Sequence, residues 1–254
     1  MIIEQLQVSG LRNLVSQKIL FEPGLNGVYG INGAGKTSLL EAIHLLAAGR
    51  SFRTTANQNY IAHEASSATV VAQLRDESGN PARLGMARTR KDLQLRIDGT
   101  RCERLSNFVR YLPAVALHPD SDALITGSPD HRRRFVDRGV FHADPDFGDL
   151  SLRYMRAVKQ RNAALRAGVD ERSWEPALID AGEQIDRRRR EFVNQLSLYL
   201  ARIGESLPAQ PELDLRYQPG FRRDLALGEA IEQARDRDRE MGATQVGPHR
   251  ANLL

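Results

Sequence analysis

The chain has 254 residues, of which 41% are hydrophobic and 27% are charged, the balance of an ordinary globular protein. No run approaches the roughly 18 to 20 consecutive apolar residues that span a bilayer, which excludes a membrane-spanning protein. Cys102 is the only cysteine, so no internal disulfide can form, and the N-terminal "MIIEQLQVSG" has no basic segment of the signal-peptide type. These features predict a cytoplasmic protein. The formal charge of +4 is compatible with a nucleic-acid partner but does not require one.

The first fifty residues predict strands, a phosphate loop and a helix, in that order. "MIIEQLQV" and "QKILFE" alternate like strands, and "LNGVY" is expected to be a strand that enters the loop. The segment from Gly30 to Thr37, "GINGAGKT", fits the pattern G-x-x-x-x-G-K-[ST] at every fixed position. Helical spacing of apolar residues follows, and Gly49 is expected to end that helix. A phosphate loop in this context predicts a nucleotide-binding site.

The chemistry of such a loop assigns a role to each part of it. Glycines allow the backbone to turn so that successive N–H groups face the β-phosphate. Lys36 is expected to reach the β- and γ-phosphates, the Thr37 hydroxyl to bind Mg²⁺, and Ser38 to donate near the α-phosphate. The predicted nucleotide site therefore comprises Gly30, Ile31, Asn32, Gly33, Ala34, Gly35, Lys36, Thr37 and Ser38.

The middle of the chain predicts short antiparallel strands in "ATVVAQLRD", "ARLGMART" and "LQLRIDGTRCE". The last of these is a predicted hairpin, because Asp98-Gly99 suits a type I′ turn. A loop followed by antiparallel strands differs from the layout of simple kinases.

From about Asp120 the chain is predicted to be mainly helical. Ser128 and Pro129 are expected to start one helix, and Gly168 to end a second. A long third helix is predicted to start at a Ser173 cap, with a packing seam of apolar residues spaced three and four apart. "ELDLRY" then alternates like a strand.

Nucleotide hydrolysis requires an acidic residue at the end of a hydrophobic strand, where it holds Mg²⁺ and a water. "ALID", Ala177–Asp180, lies inside the long helical pattern, and in "AVALHPD" two residues intervene before Asp120. The sequence therefore assigns no catalytic residue.

Five segments occur in an order that resembles one family: "LRNL", "GINGAGKTSLLEAIHLLAAGRSFRT", "ITGSPDHRRRFVDRGVFH", "YMRAVKQRNAALR" and "QVGPHRANL". Together they resemble the RecF family of bacterial DNA replication and repair proteins, ABC-type ATPases related to the SMC group. The resemblance implies an α/β fold, with a P-loop ATPase lobe that carries an antiparallel β subdomain and an inserted, mainly helical second lobe. The implied domains are the ATP-binding lobe (1–119), helical lobe II (120–240) and the start of the return into the ATPase lobe (241–254).

The same resemblance implies function. ATP and Mg²⁺ are the implied cofactors, and the implied partners are single-strand/double-strand DNA junctions and recombination mediator proteins. Full-length members of the family are implied to form a homodimer on ATP binding. The implied role is to help load recombinase at gaps and to support the SOS response. The family's signature motif and carboxylate-bearing strand would follow Leu254, so this chain is expected to bind ATP weakly and not to hydrolyse it. A small-molecule or nucleoside kinase is the alternative.

Arginines supply the candidate DNA contacts. Arg50 and Arg53 follow the phosphate-loop helix, where related ATPases approach DNA, and a second cluster comprises Arg132, Arg133 and Arg134. The alternative for this second cluster is a solvated face whose arginines pair with neighbouring acids such as Asp137.

Overall fold

A computed structural model describes residues 1–54, 59–208 and 213–254 of the chain. These residues form two compact units, Met1–Leu117 and His118–Leu254. The predicted boundary between residues 119 and 120 lies two residues from the observed one. Each unit has its own hydrophobic core.

The first unit contains a six-stranded sheet in the order β2-β1-β3-β4-β5-β6, in which every neighbouring pair is antiparallel. Alternate residues of the strands, such as Leu6 and Val8, are buried on one face. Asp98 and Gly99 both have positive φ angles, 50° and 83°, which confirms the predicted hairpin turn. The strands are β1 (Ile2–Leu11), β2 (Leu14–Leu20), β3 (Ser67–Arg75), β4 (Pro81–Thr89), β5 (Leu93–Ile97) and β6 (Thr100–Arg101).

Two helices, α1 (Lys36–Ala48) and α2 (Leu105–Val109), complete this core. Helix α1 ends at Gly49, as predicted, with φ at +68° and its N–H bonded to the carbonyl of Leu45 at 2.8 Å. A Cβ at Gly49 would lie 2.5 Å from the Leu105 side chain, so the glycine also permits the close approach of α2.

The predicted strand "LNGVY" is wrong, because Leu25–Tyr29 adopts no strand. Leu25 is 100% exposed and Tyr29 is 96% exposed. A strand requires a hydrogen-bonded neighbour, and within the described ranges no strand pairs with this segment. The phosphate loop is therefore preceded by a segment without regular secondary structure.

The second unit is mainly helical, as predicted. Helices α5 and α6 form the centre of its core, with Tyr154, Leu178 and Ile185 among the buried residues. The elements are α3 (Ala123–Thr126), α4 (Pro129–Ala143), α5 (Phe147–Ala167), α6 (Glu175–Ser206), β7 (Tyr217–Gln218), α7 (Leu227–Gln233), α8 (Arg235–Met241) and β8 (Asn252–Leu253).

The predicted helix ends in this unit are partly confirmed. Helix α5 ends at Gly168 with φ at +64°. Ser128 does occupy the position before Pro129, but its hydroxyl lies 3.2 Å from the His131 ring and makes no capping bond to the backbone. The Ser173 cap is wrong, because residues 172–174 form a 3₁₀ turn and α6 begins at Glu175.

The packing seam of α6 is confirmed only in its first half. Leu178, Gly182 and Ile185 are buried, whereas Tyr199 and Ile203 are 63% and 54% exposed. Since the same spacing continues throughout, the neighbouring elements decide where the seam is covered.

The end of the chain packs in the second unit and not in the first. "ELDLRY" begins at Glu212, outside the described residues, and only its last residue, Tyr217, enters a strand. That strand pairs with β8, while Ala251 and Leu253 are buried in the second core. Residues 241–254 therefore pack with the second unit, and a return of the chain into the ATPase lobe stays a prediction.

Candidate nucleotide-binding site

The phosphate loop depends on three glycines with positive φ angles, 153° at Gly30, 84° at Gly33 and 97° at Gly35. Residues with a Cβ rarely adopt such angles. At Gly35 a Cβ would also lie 2.7 Å from the Leu14 side chain. The loop therefore needs glycine at this position both for its dihedral angles and for its fit against β2.

Lys36 lies across the loop that precedes it. Its Nζ donates to the carbonyl oxygens of Gly30 at 2.8 Å and Ile31 at 2.9 Å. Both acceptors are neutral, and a phosphate oxygen is a stronger acceptor for an ammonium group than a carbonyl. The side chain is therefore placed to exchange these contacts for an anionic ligand.

A cleft of about 610 Å³ opens beside the loop. The N-terminus of the 13-residue helix α1 borders it, which adds a partial positive charge. Its cationic side chains are Arg12, Lys36 and Arg53, and none of the lining residues is acidic. This composition fits a polyphosphate. The lining residues are Arg12, Asn13, Asn32, Gly33, Gly35, Lys36, Thr37, Ser38 and Arg53.

Asn13, in the β1–β2 turn, connects the phosphate loop to the start of α1 through two hydrogen bonds. Its Nδ2 donates to the Gly33 carbonyl at 2.6 Å, and its Oδ1 accepts a hydrogen bond from the Ser38 hydroxyl at 2.9 Å. Ser38 is buried and already engaged in this contact. The expected hydrogen bond from Ser38 to an α-phosphate therefore stays a prediction, whereas its hydrogen bond to Asn13 is observed.

Arg12 joins the cleft to a buried carboxylate on α1. Its Nε and one terminal nitrogen donate to Glu41 at 2.9 and 2.8 Å, and its other terminal nitrogen donates to the Asn59 carbonyl at 2.6 Å. Ser51 donates its hydroxyl to Glu41 as well, and a guanidinium nitrogen of Arg53 lies 3.8 Å away. One carboxylate thus positions two of the three cations that line the cleft.

The environment of Glu41 favours its charged form. Burial alone raises the pKa of this carboxyl, and its side chain has no solvent exposure. Hydrogen bonds from Arg12 and Ser51, with the positive charges of Arg12 and Arg53, outweigh the burial and bring the pKa below its usual value. Glu41 is therefore a carboxylate that can hold both arginines.

The structure places the predicted site residues in two groups. Gly30–Ser38 form the loop and the first turn of α1 in the first unit, and Arg53 lines the same cleft. Arg50 is exposed just after α1.

The arginine cluster of α4 belongs to the second unit and is engaged within it. Arg132 donates to the Asn252 side chain at 2.9 Å and to the Gly127 carbonyl at 2.7 Å. Arg133 donates to the Ala251 carbonyl at 2.9 Å, and Arg134 pairs with Asp130 at 2.5 Å. These contacts hold local structure together, and DNA contact by the cluster stays a prediction.

The sequence did not single out Arg12, Asn13, Glu41 or Ser51. Arg12 and Asn13 lie within "LRNL", which carried part of the family resemblance. The available indication for Glu41 was an acid on the apolar side of a helix, next to Ala42 and Leu45. Such a residue needs a partner when it is buried.

Comparison with known proteins identifies the family. The model of the RecF/RecN/SMC N-terminal domain matches residues 2–197. A relative from Thioalkalivibrio sulfidiphilus is 42% identical over 100% of this chain and 72% of its own length, and one from a Marinomonas species is 38% identical over 98% of this chain and 69% of its own. Both are named DNA replication and repair protein RecF.

The chain belongs to the RecF family.

Solved structures show the same fold. "The recombination mediator protein RecF-ATPrS in RecFOR pathway" matches with a TM-score of 0.88 and 22% identity, over 99% of this chain and 72% of the other. The Smc head domain from Pyrococcus furiosus matches with a TM-score of 0.50 and 17% identity, over 87% of this chain and 68% of the other. The RecF-family fold of this chain is therefore α/β, an ABC-type ATPase lobe with an antiparallel β subdomain and a helical second lobe.

These similarities give no support to the kinase alternative. Within the described part of the chain, no helix combines the length and the apolar character that crossing a membrane requires.

Proposed function

We propose that this RecF-family chain binds ATP with Mg²⁺ at the phosphate loop, and that ATP binding controls its affinity for DNA during replication and recombinational repair. The observation that carries the proposal is the convergence of Lys36, Arg12 and Arg53 on one cleft at the N-terminus of α1. Three cations and a helix terminus are a suitable environment for a triphosphate.

In this proposal each residue contributes one kind of contact. The backbone N–H groups from Gly30 to Gly35 surround the β-phosphate, and Lys36 binds the β- and γ-phosphates. Thr37 supplies a hydroxyl ligand to Mg²⁺, which neutralises phosphate charge and orders the phosphate oxygens when bound. Arg12 and Arg53, held by Glu41, balance the remaining negative charge.

The DNA-binding part of the proposal places Arg50 and Arg53 against phosphates at single-strand/double-strand junctions. The chain would act in the cytoplasm with recombination mediator proteins, helping to load recombinase at gaps and supporting the SOS response. An ATP-dependent homodimer is proposed for full-length members of the family. Support comes from the relatives' names, which specify DNA replication and repair, and from the exposure of Arg50 just after α1.

Lys36→Ala tests the nucleotide site. A hydrogen bond to a charged partner contributes about 1.5 to 3 kcal/mol, so affinity for radiolabelled ATP in the presence of Mg²⁺ should fall roughly tenfold to a hundredfold in filter binding. The fold should be preserved, because Lys36 contacts the loop and not the hydrophobic core.

Lys91→Ala is the matched control, since Lys91 is an exposed lysine in the turn between β4 and β5. ATP affinity that is equal in both variants and the wild type would refute the site. Repeating the measurement with gapped DNA tests the coupling: ATP should tighten DNA binding by the wild type and by Lys91→Ala, but not by Lys36→Ala.

A further inference from the structure

The six-stranded sheet has a second face that α1 does not cover. Core residues such as Leu6, Val70 and Leu84 lie on the inner face, where α1 packs. Residues that alternate with them therefore lie on the opposite side, which we call the outer sheet face.

The strand registers define this face residue by residue. One row of directly opposed residues crosses all six strands: Lys18, Gln7, Val71, Gly85, Arg96 and Arg101. The row on one side is Leu20, Gln5, Gln73 and Arg83, and the row on the other is Ser16, Ser9, Thr69, Ala87 and Gln94.

No position in these three rows carries Asp or Glu, whereas four carry Lys or Arg. Most of the others are Gln, Ser or Thr. Acids occur only at the rim. Glu4 pairs with Arg75 at the strand ends, Glu103 lies 3.3 Å from Arg101, and Asp98 accepts the backbone N–H of Arg83 at 2.7 Å.

Three of the cations differ from Arg101 in their surroundings. Lys18, Arg83 and Arg96 are exposed, and among the described residues the structure shows no ion pair for any of them. Within the same part of the chain, the only hydrogen bond that their side chains make is a long one, 3.4 Å from Arg96 to the Gly99 carbonyl. Their charge is therefore available to a ligand.

The dimensions of the face suit an extended ligand. Neighbouring strands lie about 4.8 Å apart, so the five intervals from Lys18 to Arg101 extend over roughly 24 Å. Small residues at the centre, Gly85 and Ala87, keep the surface shallow. Exposed cations and amides spread over such a distance match a regularly repeating polyanion better than a compact anion.

We propose that the outer sheet face is a second nucleic-acid contact surface that binds the phosphate backbone of duplex DNA. This inference rests on the proposed DNA-binding function and places a contact on the side of the sheet opposite α1. Lys, Arg, Gln, Ser and Thr are the side chains that commonly contact DNA phosphates and sugars. An acidic protein segment is a poorer fit, because most positions of the face carry polar or small side chains and not the large apolar anchors on which protein interfaces depend.

The test compares two triple variants of the full chain. Lys18→Gln/Arg83→Gln/Arg96→Gln neutralises the outer sheet face with a residue already common on it. Arg187→Gln/Arg202→Gln/Arg237→Gln removes the same three charges from exposed positions of the second unit. Circular dichroism confirms that both are folded, and duplex binding is measured by anisotropy at several salt concentrations.

Each phosphate contact contributes about 0.9 to the slope of log K against log salt. We expect the slope to become shallower by up to about 2.7 in the sheet variant and to be unchanged in the control. A wild-type slope in the sheet variant, or equal changes in both variants, overturns the inference while leaving the proposed function intact. A wild type that binds no duplex overturns both.

A competition experiment distinguishes binding of nucleic acid from binding of an acidic protein segment. Poly-glutamate should displace duplex from the wild type only weakly. If it binds the wild type as tightly as duplex does and loses that affinity in the sheet variant, the face binds acidic protein and the nucleic-acid assignment is overturned.

Discussion

Glu41 shows how much of this site rests on one side chain. It is fully buried, and it accepts hydrogen bonds from Arg12 and Ser51 while Arg53 lies 3.8 Å away. A buried carboxylate is tolerated only with such partners. Arg12 and Arg53 themselves line the phosphate cleft, so the residue that stabilises the fold also sets the position of the ligand-facing charges.

Glu41→Gln should therefore weaken both stability and ATP binding. Loss of hydrogen bonds to a charged group predicts a decrease of about 1 to 3 kcal/mol in the free energy of unfolding at pH 7, and Arg12 and Arg53 should become mobile enough to lower ATP affinity severalfold. Urea unfolding and filter binding measure the two effects. Glu183→Gln, an exposed glutamate on α6, is the control and should change neither.

The pH dependence of this variant follows from the lowered pKa of Glu41. A carboxyl whose folded pKa is depressed contributes stability above its unfolded pKa and loses that contribution as pH falls through the folded value. The stability difference between wild type and Glu41→Gln should therefore be full at pH 7 and shrink below about pH 4.5. A difference that stays constant down to pH 3 would contradict the charged-pair account.

At the scale of elements, the phosphate loop is held by its neighbours as much as by its own sequence. Asn13 bonds to the Gly33 carbonyl, and Leu14 of β2 packs where a Cβ of Gly35 would lie. The turn between β1 and β2 thus contacts the phosphate loop and stabilises its conformation. This arrangement explains how the loop is formed although the segment before it is not part of a strand.

Gly35→Ala tests whether the phosphate loop depends on its contact with β2. The positive φ angle costs a residue with a Cβ about 1 to 3 kcal/mol, and the 2.7 Å contact with Leu14 forces a displacement in addition. We expect at least a tenfold loss of ATP affinity in filter binding.

Gly79→Ala is the matched control, because Gly79 has a similar φ of +86° but nothing within 4 Å of the position that a Cβ would take. It should show a comparable backbone penalty in urea unfolding and unchanged ATP affinity. If both variants bind ATP equally, the fit of the loop against β2 is not needed for the site.

At the scale of the whole molecule, both units combine an apolar core with buried charged groups. In the first unit the buried carboxylate of Glu41 pairs with Arg12. In the second unit a buried arginine connects several elements. Arg161 has no solvent exposure and donates to Asp238 at 2.6 Å, to Thr244 at 2.9 Å and to Glu175 at 3.1 Å. These contacts connect α5, the start of α6 and α8 in one network.

Arg161→Ala should destabilise the second unit strongly. It leaves Asp238 buried without its ion-pair partner, and breaking a buried pair costs about 3 to 5 kcal/mol. Hydrogen exchange should show loss of protection throughout α5, α6 and α8. Arg166→Ala, an exposed arginine one turn further along α5, should leave protection at the wild-type level. Equal protection in both variants would mean that the network adds nothing to stability.

Features that depend on neighbouring residues were determined by the sequence itself. The glycines of the phosphate loop, the Asp98-Gly99 turn and the helix ends at Gly49 and Gly168 each follow from local dihedral preferences, and all are confirmed. Membership of the RecF family also followed from local segments and their order.

Features that depend on distant residues were decided only by the tertiary structure. The partners of Glu41 lie 29 and 10 residues away along the chain. Asn252 and Ala251, which accept hydrogen bonds from Arg132 and Arg133, lie about 120 residues from them. "LNGVY" has the composition of a strand but pairs with no neighbour among the described residues, and the seam of α6 is covered over only half its length. The cause is the same in each case, because pairing and burial depend on which distant segments approach, whereas backbone dihedral preferences depend on the residue and its neighbours.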